Sequence, residues 1–269
     1  MTGLPLGTVR TIVRRSGAFT DNLKHRELFT LPPIQQSQST GIAATVMPLQ
    51  QTITGDLELD AVLWLREVID TGNAAYIDKA LEAAANIKTP PAELETRYMR
   101  HVMQTTGNQT KALFGSMGFA NLEVHAKAAR RKAILISEAV ARFGTDDWFE
   151  TEADHFCADA LKGLKSRNMW LDEAECAARF RQHTDLMPHT LDDCLYELAY
   201  WGNLYRLRYA LHECDHPPES ESREQFIYQM LGQIRPRNKT EAKAVLSYLI
   251  YRERKDDKDF DAIVENLLS

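Results

Sequence analysis

The chain has 269 residues, about two average domains or one large one, and its 44% hydrophobic and 26% charged content excludes wholesale disorder and fibrous repeats. No stretch approaches the roughly 18 uninterrupted apolar residues of a spanning helix, so a membrane partner is not expected. Lys+Arg 32 against Asp+Glu 38 leaves a net charge of -6, which speaks mildly against a domain devoted to gripping duplex phosphates.

Charge is unevenly placed. Met1 to Thr20 carries no acid, while Arg10, Arg14 and Arg15 are basic. Three readings compete for this stretch: a nucleic-acid contact, an Arg-rich organelle presequence and a plain solvated terminus. A secretory signal is not expected, because no apolar core follows the basic start. Ile34 to Gly55 has no charged residue, is crowded with Gln, Ser and Thr, and contains Pro48; Pro32 and Pro33 precede it. Such composition buries little, so residues 1–55 read as a flexible arm, with Val9–Val13 as one short strand at most.

From Asp56 onward the apolar spacing becomes helical. Asp56 is placed as an N-cap, and Leu59, Val62, Leu63 and Ile69 share one face. Gly72-Asn73 separates this helix from one with Tyr76, Ile77, Ala80, Leu81 and Ala84 as its stripe. Pro90-Pro91 ends the second, and Leu94, Tyr98 and Val102 begin a third. Asn121–Phe143 is long and closed by Gly144. Trp148–Leu164, Leu171–His183 and Leu191–His212 follow; Pro217-Pro218 forces a stop before an acidic, Ser-rich loop, then come Glu224–Ile234, Thr240–Arg254 and a short Phe260–Leu268. The expected fold is all-α, a bundle or irregular array of about nine helices behind the arm. A soft boundary near Gly144–Asp147 divides it into subdomains 56–145 and 146–269.

Thr71-Gly72-Asn73 and Thr106-Gly107-Asn108 lie 35 residues apart, with Lys-Ala-Leu behind each and a weaker echo at Trp201-Gly202-Asn203. A helix-pair solenoid would show such a period. Turn physics alone also explains it, since Gly supplies a left-handed residue and Asn caps the next helix.

The run Gly107-Asn-Gln-Thr-Lys-Ala112 resembles the helix-turn-helix of Fis-type DNA-binding proteins over about 25 residues. That resemblance implies a turn at Gly118 and a recognition helix carrying His125, Lys127, Arg130, Arg131 and Lys132, with Lys111 on the helix before it. Here the turn glycine comes one residue late, Leu113 replaces the family's second Ala, and the motif sits mid-chain rather than at the C-terminus.

Glu152-x-x-His155 and Glu213-x-x-His216 have the spacing of di-iron ligands, with Glu123 or Glu138 and Glu175 or Asp185 as conceivable partners. With 38 acids and 8 histidines, about one such match arises by chance. In an up-down bundle the two motifs would also lie at opposite ends. Zinc would have to recruit His155, Cys157, His212, Cys214 or His216 without any C-x-x-C pair. Cys157, Cys176, Cys194 and Cys214 read as reduced, mostly buried thiols. Nucleophile elbows, P-loops and dinucleotide glycine motifs are absent, and no cofactor is expected. Tyr196, Tyr200, Trp201, Tyr205 and Tyr209 crowd one helix, either as its core stripes or as a binding face.

These features point to a cytoplasmic, non-enzymatic regulatory protein contacting nucleic acid through its arm and the His125–Lys132 face. A protein–protein adaptor of helical-repeat type is the alternative, and a metal-dependent helical-bundle enzyme the third reading.

Overall fold

The structure, a computed structural model, describes residues 20–35, 46–165 and 171–269. Twelve α-helices and two short 3-10 turns make up the secondary structure of the described residues. The fold is all-α, with more and shorter helices than the expected nine. The chain divides into two compact units, one made of the described residues 20–33 and 147–269, the other of 34–146.

The central unit holds α2 (Leu57–Asp70), α3 (Ala74–Ala84), α4 (Pro91–Thr106), α5 (Gln109–Ser116) and α6 (Leu122–Phe143). Each begin and end has a local cause. Asp56 accepts from the backbone N–H of Glu58 and Leu59, and Asn73, Asn108 and Asn121 cap α3, α5 and α6 in the same manner. Gly107 and Gly144 close α4 and α6 in the left-handed region. The core joins Leu59, Val62, Leu65 and Ile69 of α2 to Ile77, Leu94, Phe119 and Ala126. Tyr98 stacks on Phe119 with centroids 3.9 Å apart. Buried Asp60 accepts from the Thr54 N–H at 2.7 Å and from the N–H groups of Ile53 and Gly55, which fastens this end of the expected arm to α2.

The discontinuous unit is organised around α9 (Leu191–His212). Leu191, Leu198, Trp201, Leu204 and Leu207 of this helix are almost wholly buried. Around it lie α1 (Leu23–Leu28), α7 (Glu152–Ala160), α8 (Glu173–Phe180), α10 (Pro218–Met230), α11 (Lys239–Tyr251) and α12 (Phe260–Leu268). The aromatic stripe of α9 is a core feature at Tyr200 and Trp201, while Tyr196 and Tyr209 remain exposed.

Two sequence expectations need correction here. Residues 20–33 are not a flexible arm: α1 is capped by Asn22 and places His25 and Phe29 in the core. Polar composition concealed this, because His25 is buried through a carboxylate rather than through apolar contact. Pro217-Pro218 does not precede a loop but opens α10, with Pro218 at the first helical position, where its missing N–H costs nothing.

Candidate functional site

The residues singled out from sequence fall into two groups. Arg10, Arg14, Arg15 and the Val9–Val13 strand lie outside the described residues. Lys111, Lys127, Arg130, Arg131 and Lys132 are all exposed on the central unit, and His125 is half-buried. α5 packs on α4, and α6 packs on α2 and α3. Gly118 takes a left-handed conformation (φ +68°) in the turn between α5 and α6.

Along the 22-residue α6 only Leu122, Ala126 and Ala139 are buried, so a long outer face remains. Lys127 and Arg131 lie one turn apart on it, about 6 Å along the axis. No described residue pairs with the side chain of either, nor with that of Lys111 on α5. Arg130 bonds to Asp78 at 2.5 Å. His125 lies 2.9 Å from the Asp70 carboxylate, close enough for attraction but outside hydrogen-bond geometry. Apolar groups flank the cations: Leu113, Phe114 and Met117 on and after α5, and Val124 and Ile134 on α6, are each more than half exposed.

The most concentrated polar chemistry lies elsewhere, in the core of the discontinuous unit, and was not foreseen. Glu197 of α9 accepts from Arg223 Nε at 2.7 Å, Arg223 Nη2 at 2.9 Å, His25 Nε2 at 2.6 Å and Trp201 Nε1 at 3.1 Å. Burial pushes its carboxyl up, but the charge of Arg223 and the His25 bond outweigh this and hold it below its ordinary value. The Arg223 guanidinium is enclosed by the rings of Phe29, Phe156, Phe180 and Phe226, all within 5.1–5.4 Å of their centroids.

Three helical turns further along α9, buried Arg208 donates to Asp154 (Nη2 to Oδ2, 2.5 Å), to the Phe149 carbonyl at 3.0 Å and to His216 Nδ1 at 3.2 Å. Ser220 adds a bond to Asp154 at 2.8 Å. Since Nδ1 of His216 accepts from an arginine, its Nε2 carries the proton and donates to the Trp201 carbonyl at 3.1 Å. Burial and neighbouring Arg208 together hold this imidazole below its ordinary value despite the Trp201 bond.

These assignments bear on the metal motifs. His216 has both ring nitrogens engaged, Glu213 is the left-handed cap of α9 (φ 51°), and His155 sits on the surface 3.1 Å from Glu150. Among the described residues no three His, Cys, Asp or Glu side chains gather as a metal site. Cys157 and Cys194 are buried, and desolvation raises their thiols well above the ordinary value, which makes them poor nucleophiles. Gly72 and Gly107 do close helices, but Gly202 lies inside α9, so the third copy of the recurrence is not a turn. An added Cβ at Gly202 would meet Arg252 Nη2 at 2.8 Å; the glycine makes room for that guanidinium.

The ionic seam had a sequence signal. Cys194, Glu197, Trp201, Leu204 and Arg208 recur at three- and four-residue spacing, so opposite charges sit within an apolar stripe. Their partners on α1, α7 and α10 carry no such mark. Comparison of the chain with protein-family models, with curated proteins and with solved structures gave no match. No helix among the described residues is long and apolar enough to cross a membrane.

Proposed function

We propose that this is a non-enzymatic binding protein whose α6 face contacts the sugar–phosphate backbone of nucleic acid. The observation that supports this reading is the pair Lys127 and Arg131, exposed one turn apart without a carboxylate partner, with unpaired Lys111 on the neighbouring helix; Arg130, tied to Asp78, and Lys132 add charge beside them. Cations left unpaired on a chain of net charge -6 are available to neutralise phosphates. The Fis-type resemblance of the 107–112 run adds the expectation that duplex DNA is the substrate form. The four unpaired cysteines fit a reducing compartment such as the cytoplasm.

The test is fluorescence anisotropy with labelled duplex DNA, single-stranded DNA and hairpin RNA across a salt series. Binding should weaken steeply with salt, and Lys127→Glu/Arg131→Glu should abolish it. If each cation contacts one phosphate, removing a single one by Lys127→Ala should lower the log–log salt slope by about 0.9. Absence of a shift with all three probes, or equal binding by the Lys127→Glu/Arg131→Glu protein, overturns the reading.

A protein–protein adaptor is the second reading, favoured by exposed Leu113, Phe114 and Met117. It expects a partner whose association resists salt and is lost in Phe114→Asp, with Lys127→Glu/Arg131→Glu having little effect.

A further inference from the structure

On the discontinuous unit, α9, α10 and the chain leaving α11 surround an open cavity of about 500 Å³, lined among others by Gly202, Tyr205, His216, Glu221, Glu224 and Arg252. Its two walls differ in how well their charges are matched. On the basic wall, Arg254 bonds to Asp257 at 3.3 Å and lies 5.0 Å above the Tyr228 ring. Arg252 rests against Gly202, and its nearest carboxylate is Glu224 at 3.9 Å, beyond a direct hydrogen bond. His216 is neutral with both nitrogens engaged, and so contributes neither charge nor a free donor.

On the acidic wall, Glu221 and Glu224 lie three residues apart on α10 and share a face. No described residue donates to the Glu221 carboxylate, and Asp215 adds negative charge beside it. Desolvation raises both carboxyls, and at Glu224 the opposing pull of Arg252 and Arg254 does not cancel it. Neutralisation is therefore incomplete on one side of a cavity large enough for a short organic chain.

We propose that this cavity binds a small aliphatic amine, its ammonium held between Glu221 and Glu224 and its chain lying along Tyr205. An ammonium offers three donors and is satisfied by two carboxylates and a ring face. A divalent metal ion would require three or more oxygen ligands gathered around one point, and although Glu253 also lines the cavity, no such group forms among the described residues. An anion would have to compete with Asp257 for Arg254 and would face the carboxylates of Glu221, Glu224 and Glu253.

The experiment is calorimetric titration of the full chain with putrescine and spermidine, with butane-1,4-diol as the uncharged isostere. One saturable site is expected for at least one amine and none for the diol. Glu221→Gln and Glu224→Gln should each weaken binding about tenfold, as expected for loss of one charge pair in a partly desolvated site. Glu82→Gln/Glu93→Gln, altering exposed acids of the other unit, should leave it unchanged. Glu221 makes no side-chain hydrogen bond and its charged form is disfavoured, so its variant should melt no lower than the parent and isolate binding from folding. Non-saturating heats, or equal losses in the control variant, would mean diffuse attraction to an acidic protein and would overturn the site.

Discussion

Arg223 and Glu197 meet through two hydrogen bonds, at 2.7 and 2.9 Å, with neither side chain exposed to solvent. A guanidinium among four phenylalanine rings is tolerable only while the carboxylate is in place. Removing one partner leaves the other buried without its counter-ion, with only His25 and Trp201 still bonded to Glu197, or the Leu186 carbonyl to Arg223. Glu197→Gln and Arg223→Met should each destabilise the unit by about 3–5 kcal/mol. Glu197→Leu/Arg223→Met should lose less than either single change. Urea unfolding of the three variants checks this; additive losses would show that the ion pair is not the source of the cost.

The placement of α1 gives a second expectation. Phe29 is 1% exposed and packs on Phe156, Tyr200 and Trp201. Phe29→Ala should cost about 3–5 kcal/mol, whereas Ile34→Ala, at a 58% exposed position, should stay within about 0.5 kcal/mol. Amide exchange over Leu23–Leu28 should be protected in the parent protein and fast in Phe29→Ala. Equal effects of the two substitutions would restore the arm reading.

Stability should also depend on pH with a determinable sign. His216 has a folded pKa below its ordinary 6.5, so below that pH the unfolded chain takes up a proton that the folded one refuses. Stability should therefore begin to fall as pH drops below about 6.5. Asp154, Asp193 and Glu197 are held low by their hydrogen-bonded partners, so their contribution is complete above about pH 4–4.5 and lost below it. Glu221 and Glu224, held high, act in the opposite direction and gain stability on protonation. Subtracting the profile of His216→Asn from that of the parent isolates the imidazole. Profiles that run parallel between pH 5 and 7 would remove His216 from this account.

Two glycines should respond oppositely to alanine. Gly72 has φ +69° and an added Cβ would lie 3.1 Å from Ala133 Cβ, so Gly72→Ala should cost about 1–2 kcal/mol. Gly202 is helical, and its obstacle is only the tip of Arg252, which can swing away. Gly202→Ala should gain about 0.5–1 kcal/mol from helix propensity while displacing the guanidinium. Thermal melts of the two variants decide the matter.

Much of the helical scaffold was legible because its signals are local. Asp56, Asn73 and Gly144 stand where helices begin or end, and Leu59, Val62 and Ile69 keep the period that faces the core. What could not be read depends on partners distant in sequence. His25 and Glu197 are 172 residues apart, and nothing near His25 marks it as a core residue. Pro217-Pro218 is ambiguous in sequence because two prolines stop a helix and also start one. The cations of α6 are visible in sequence as a cluster, but only the packing of α6 against α3 separates Arg130, tied to Asp78, from Arg131, which is not.

The discontinuity of the unit containing α9 has a consequence during synthesis. α1 leaves the ribosome early, yet Asp193 and Glu197, which receive Asn22, Arg26 and His25, are translated more than 160 residues later. The described helices of residues 34–146, α2 to α6, are all translated before then, and their shared core can form first. Until α9 and α10 emerge, Phe29 has no aromatic neighbours from them. The nascent chain therefore carries Asn22, His25 and Phe29 without their partners while the helices that follow already have theirs.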